Sequence, residues 1–155
     1  MRSVYPEDLI DSLTVMLEAR ARPRSFSPRR LGGCYMAKTV LVADDNPIIR
    51  KMLCRIFEAE DGYDLCAEAT NGQEAIDLAL KCRPELIILD LSMPIMNGLD
   101  AARELKKLMP GVPIILFTQY SDLGSALSRE LNVDRIVSKG NATELMGHVK
   151  QLLPV

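Results

Sequence analysis

The sequence has no tryptophan, one histidine and only 5% aromatic residues. The single imidazole, His148, has no acidic or cysteine partner around it, so it reads as a structural histidine and not as a catalytic or phosphorylated one. A strong charge of either sign is also missing: the net charge is −2 and the pI about 5.5, which gives no global attraction to nucleic acid. No apolar run approaches the roughly 18 residues of a membrane span, and the parts of a secretory signal are not assembled at the start. The four cysteines, Cys34, Cys54, Cys66 and Cys82, contain no Cys-x-x-Cys spacing. Thiolate metal binding and a disulfide framework are therefore not expected, and the last three read as small hydrophobes inside strands or helices. That usage fits a reducing, cytoplasmic location. Internal repeats are absent.

What is present is apolar content: 48% of 155 residues, enough for one well-buried domain and little for two. Residues 1–35 do not match the remainder. Pro6 to Ala19 can form a short helix with Leu9, Ile10, Leu13, Met16 and Leu17 along one side, whereas Arg20 to Arg30 carries five arginines, two prolines and no acid. Residues 1–35 are thus expected to be a flexible extension, with Met36-Ala37-Lys38 as a natural beginning for a domain over 36–155.

From Thr39 onward short strands and helices alternate. Thr39–Ala43, Tyr63–Ala69, Leu86–Leu91, Pro113–Phe117 and Arg135–Ser138 read as strands, the second by alternation and the others by apolar runs. Between them lie amphipathic stretches. Pro47 to Glu60 keeps Ile48, Ile49, Met52, Leu53, Ile56 and Phe57 on one side. A second, with Ala75, Ile76, Ala79 and Leu80, is stopped by Pro84, and a third, with Leu99, Ala102, Leu105 and Leu108, is closed by Pro110-Gly111. Asp122 to Leu131 forms a helix weakened by Gly124. In the last helix Asn141 and Glu144 spell a capping box, with Leu145, Val149 and Leu152 facing in. Five βα units imply a parallel, doubly wound α/β sheet with helices on both faces.

Three acids stand out against that background. Asp90 interrupts the apolar run LIILDL, where an unpaired buried carboxylate would cost several kcal/mol. Met93-Pro94 and Asn97-Gly98 then turn the chain, which puts Asp90 at the mouth of a strand-to-helix loop, the edge where such sheets bind ligands. Asp44 and Asp45 follow the first strand directly, while Asn46 caps the helix that starts at Pro47. If the two strands are neighbours, the three carboxylates converge. Such a cluster takes up protons or holds a cation, and hard oxygen ligands suit Mg²⁺. Thr118 adds a hydroxyl at the end of the fourth strand, and Lys139 a cation after the fifth.

Asp44-Asp45, then Asp90 with Met93-Pro94 and Gly98, then Thr118, then Lys139 resembles the pattern of the receiver domain of bacterial two-component response regulators over Lys38 to about Leu153. The resemblance implies a flavodoxin-like sheet of order 2-1-3-4-5. It implies Asp90 as phospho-acceptor, Asp45 as the more direct Mg²⁺ ligand, Asp44 as a mainly water-mediated one and the Ser92 carbonyl as a further oxygen. Thr118 and Lys139 would hold phosphoryl oxygens, with Ser92 and Tyr120 bordering the site. Two positions depart from the pattern: Gly140 stands where a proline is usual, and Ile136 where many members carry an aromatic residue. Signal readout is therefore expected to rest on the loop after Thr118 and the helix carrying Gly124, with Ile136 staying inward or half-buried.

The expected function is a stand-alone receiver, phosphorylated by a sensor histidine kinase or histidine phosphotransfer protein and acting as a monomer or weak dimer. With the chain ending at Val155 no DNA-binding output domain is expected, nor a membrane span. Two rivals remain. A hydrolase of the haloacid dehalogenase type also uses an Asp nucleophile and a metal, but its Asp-x-Asp would need an acid where Ser92 stands. A binding module that has lost phosphorylation would not need the full set of Asp44, Asp45, Asp90, Thr118 and Lys139.

Overall fold

The computed structural model describes residues 37–120, 129–130 and 132–155. Five strands, β1 (Lys38–Ala43), β2 (Tyr63–Ala69), β3 (Leu86–Leu89), β4 (Ile114–Thr118) and β5 (Arg135–Ser138), form one parallel sheet in the order β2-β1-β3-β4-β5. This is the order that the resemblance implies. Four α-helices lie among the described residues: α1 (Pro47–Glu58), α2 (Gly72–Cys82), α3 (Gly98–Leu108) and α4 (Ala142–Leu152). The expected helices over 6–19 and 122–131 and the arginine stretch over 20–30 fall wholly or largely outside the described residues.

The sheet has a core on each face because β3 and β4 are apolar on both. Ile87, Leu89, Ile114 and Leu116 point to one side, against Ala75, Ile76 and Ala79 of α2 and Ala101, Ala102 and Leu105 of α3. Leu86, Ile88, Ile115 and Phe117 point to the other, against Ile49, Leu53, Ile56 and Phe57 of α1 and Leu145 and Val149 of α4. Each fully buried aliphatic or Phe side chain gains roughly 1.5–3 kcal/mol from leaving water, so these two layers dominate the stability. Across the second layer the Tyr63 hydroxyl donates to the Leu153 carbonyl at 2.7 Å, fastening the end of α4 to the edge strand.

Several local expectations are corrected. The strand expected over Leu86–Leu91 ends at Leu89, although Asp90 and Leu91 remain buried, and Thr118 is the last residue of β4 instead of following it. Ile48, Leu80 and Leu108, placed inward by periodicity, are exposed, because a helix lying on a sheet buries only a stripe about 100° wide. Helix α2 ends at Cys82, and Arg83 caps it in the left-handed conformation at φ 50° one residue ahead of Pro84. The capping box at Asn141 does not form, since its side chain makes no cap hydrogen bond. A 3-10 turn over Lys139–Asn141 leads into α4, and Ser138 caps that turn by accepting from the Gly140 N–H at 3.2 Å. The strand β2 is also not a plain alternation: its pairing with β1 shifts by one residue between Leu65 and Ala67.

Candidate functional site

Asp44, Asp45, Asp90, Thr118 and Lys139 all lie at the carboxyl edge of the sheet. Because β1 and β3 are adjacent, the Asp90 N–H donates to the Ala43 carbonyl at 2.8 Å, which sets Asp90 beside the Asp44-Asp45 pair. Asn46 caps α1 as expected, its side chain accepting from the Ile48 N–H at 2.9 Å. One carboxylate oxygen each from Asp44, Asp45 and Asp90 lies within 4.8 Å of the others. Lys139 reaches into the group from the end of β5, its Nζ 2.6 Å from Asp44 Oδ2 and 3.1 Å from Asp90 Oδ2.

Three of these charged side chains are almost fully out of water: Lys139 is 3% exposed, Asp44 2% and Asp90 5%, whereas Asp45 is open to solvent. One lysine therefore serves two buried acids. Burial pushes the Asp90 carboxyl above the usual carboxylate range, and the neighbouring Asp44 adds to the rise. Lys139 and the Ser92 N–H pull the other way. Asp44 is likewise raised by burial, against the opposing pull of Lys139 and of the Asn46 N–H, which donates to Asp44 Oδ1 at 2.9 Å. Thr118 is fully buried, and its Oγ1 accepts from the Tyr120 N–H at 3.3 Å, while the Tyr120 side chain is exposed.

The loop after Asp90 is held tightly. A Cβ on Gly98 would collide with the Asp90 carbonyl oxygen, so only glycine lets α3 start against the backbone of Asp90. Met96 donates its N–H to the Pro94 carbonyl at 2.7 Å, and Ile95 between them sits at φ 68° with its side chain 86% exposed. A β-branched residue in that region carries strain of about 1–3 kcal/mol. The turn presents the Met96 carbonyl to the Gly72 N–H at 2.9 Å, joining the loop after Asp90 to the start of α2.

Of the two departures from the family pattern, Gly140 has a structural reason. Its N–H is used by Ser138, a bond that proline could not make. Ile136 is half-buried and packs on the α2–α3 side of the sheet. Sequence reasoning missed Arg50. Its Nη1 donates to the Asp44 carbonyl at 2.8 Å, with Glu68 of β2 3.6 Å from its Nε, so it fixes the backbone of the acid pair from α1. Arginine one and a half turns after the acids was the available signal.

The model of the response regulator receiver domain family matches residues 40–150. The chain belongs to that family. This receiver is 41% identical over 81 residues to the chemotaxis protein CheY of Thermotoga maritima, a match covering 52% of this chain and 67% of that protein. It is 43% identical over 86 residues to a protein-glutamate methylesterase/protein-glutamine glutaminase of Pyrococcus horikoshii, covering 56% of this chain but only 23% of that longer relative. Among solved structures it resembles the response regulator TrrA of Thermotoga maritima in complex with Mg²⁺ and BeF. There the identity is 40% and the TM-score 0.67, over 75% of this chain and 99% of that one. The response regulator domain of Thermotoga maritima CheB gives a TM-score of 0.71 at 22% identity, over 77% and 98% of the two chains, a likeness of fold. Receivers are signalling modules. Among the described residues no helix is long and apolar enough to cross a membrane.

Proposed function

We propose that this receiver takes a phosphoryl group onto Asp90 from a sensor histidine kinase or histidine phosphotransfer protein, with Mg²⁺, and signals by the change that follows. The observation that carries the reading is the buried Asp90 carboxylate, 3.1 Å from Lys139, inside a set of three carboxylates within 4.8 Å. The donor set fits the metal, being all oxygen and carrying more negative charge than one lysine offsets. Asp45, Asp44, Asp90 and the Ser92 carbonyl would hold Mg²⁺, with open Asp45 the more direct ligand and buried Asp44, already engaged by Lys139, acting mainly through water. When bound, the ion offsets the negative charge of the transferring group.

The chain's own residues do the remaining work. An Asp90 oxygen attacks phosphorus, the donor's bond to phosphorus breaks, and an acyl phosphate results; water later returns the carboxylate and inorganic phosphate. Lys139, already within contact of Asp90 Oδ2, is placed to pair with a phosphoryl oxygen, and the Thr118 hydroxyl with another. The protein is thus a substrate that catalyses its own phosphorylation and dephosphorylation. The reading places it in the cytoplasm as a monomer or weak dimer over residues 36–155. Incubation with Mg²⁺ and a small phosphodonor, followed by intact-mass measurement, tests it. One added phosphoryl group is expected, lost on chelation and in Asp90→Asn. An adduct that persists in that variant overturns the assignment, and turnover of many phosphate esters would favour the hydrolase.

A further inference from the structure

The shift in β2 has a chemical result away from the acid site. Leu65 pairs with Val40 and Ala67 with Leu41, so Cys66 is an extra residue opposite none of β1. A bulge of this kind breaks the alternation of a strand and re-aims a side chain. Here Leu65 packs on the α1–α4 side, while Cys66 and Ala67 in succession pack on the α2–α3 side. Cys66 Sγ is thereby brought to 2.8 Å from Sγ of Cys82, the last residue of α2. That separation is only about 0.8 Å longer than an S–S bond of roughly 2.05 Å. Both cysteines are partly open to solvent, so a small oxidant can reach them.

We propose that Cys66 and Cys82 form a redox modification site, closed to an intrachain disulfide by hydroperoxides and reopened by dithiol reductants. One thiolate attacks a peroxide oxygen and the O–O bond breaks. The departing hydroxide takes up a proton and leaves as water, and the attacked sulfur becomes a sulfenic acid. The second thiol then displaces hydroxide from that sulfur, forming the S–S bond and releasing a second water. Two thiols and one hydrogen peroxide give one disulfide and two waters. Burial and the neighbouring thiol push Cys66 up to about 12, which leaves little thiolate near neutral pH, so closure is slow and calls for sustained oxidant. Closure ties the edge strand β2 to the carboxyl end of α2, the helix whose other end is bonded to the acceptor loop through Gly72 and Met96.

The test is to treat the folded 155-residue chain with hydrogen peroxide, block remaining thiols with an alkylating agent, and map the peptides. The expected product has lost two hydrogens, takes two fewer alkyl groups than the reduced chain, and contains a Cys66–Cys82 linked peptide that dithiothreitol opens. Its Tm should rise by roughly 5–10 °C, as a cross-link enclosing this length of chain predicts. Cys54→Ser should leave the product unchanged, and Cys66→Ala or Cys82→Ala should abolish it. Full alkylation of all four cysteines after oxidation, a link through Cys34 or Cys54, or sulfinic acid at Cys66 or Cys82 without a link would each overturn the proposal. Because the wild-type peptide map decides the matter, instability of a variant does not obscure it.

Discussion

Asp90→Asn should stabilise the fold even as it removes the proposed acceptor. At an effective dielectric near 20, the Lys139–Asp90 contact at 3.1 Å is worth about 5 kcal/mol of attraction. Asp44 and Asp45, with oxygens within 4.8 Å, each repel Asp90 by about 3 kcal/mol or more, less for exposed Asp45 because solvent screens it. Attraction and repulsion nearly cancel, which leaves the desolvation of a carboxylate only 5% exposed, a penalty of several kcal/mol. An amide removes that penalty, still accepts from the Ser92 N–H, and leaves Lys139 paired with Asp44 at 2.6 Å. The expected gain is about 1–3 kcal/mol at neutral pH, a Tm rise of roughly 3–10 °C, read by far-UV circular dichroism in urea and heat with metal chelated. The pH dependence has a definite sign. Since the folded carboxyl is raised above its ordinary 3.8, the folded wild type binds more protons than the unfolded chain between the two values. Its penalty is full above the raised value and vanishes below the ordinary one, so the advantage of asparagine should disappear in acid. A variant less stable than wild type by more than about 1 kcal/mol at neutral pH would show that the Lys139 pair outweighs both other effects.

Gly98→Ala should cost about 3 kcal/mol or prevent folding, because its methyl group would overlap the Asp90 carbonyl; urea unfolding measures it, and a near-neutral result would place α3 further from Asp90. Lys38 Nζ donates to Glu85 Oε1 at 2.8 Å and holds the Glu85 carboxyl below its usual range, with the Thr39 N–H helping. That contribution should be present above about pH 4.5 and be lost as pH falls through the lowered value, so Lys38→Met should flatten this part of the acid stability slope. A chain starting at Met36 should unfold at the same temperature as the full one and accept phosphate equally, since β1 begins at Lys38; a large fall in Tm would show that residues 1–35 pack on the domain.

The strands and the gathering of the acidic side chains at one sheet edge were legible because each rests on a local rule. Apolar runs broken by Pro, Gly or Asn mark buried strands, and one carboxylate in LIILDL is conspicuous. What the sequence hid depends on contacts between distant segments or on single-residue register. Nothing in YDLCAEA tells that Cys66 is a bulge, since the seven residues read equally well as unbroken alternation. Arg50 has the look of a surface arginine until Glu68 is turned toward it by that same bulge. The failed capping box at Asn141 has a similar origin: Ser138 and Gly140 had already closed a tighter turn upstream. Helical periodicity likewise gives the direction of the buried stripe but not its width, which left Leu80 and Leu108 outside it.

The placing of β1 between β2 and β3 bears on how the acid cluster comes into being. No two neighbouring strands are joined by a hairpin: Lys38 pairs with Tyr63, Val40 with Leu86, Ile87 with Ile114 and Ile115 with Arg135. Each pairing must close a loop of twenty or more residues before it is rewarded, and the one that brings Asp90 to Ala43 closes the longest. A nascent or partly folded chain with only β1, α1 and β2 in place holds Asp44 and Asp45 but neither Asp90 nor Lys139. The cluster therefore arises only with long-range docking of the sheet, and phosphoryl uptake during refolding should follow the slow, global phase instead of any early helix formation.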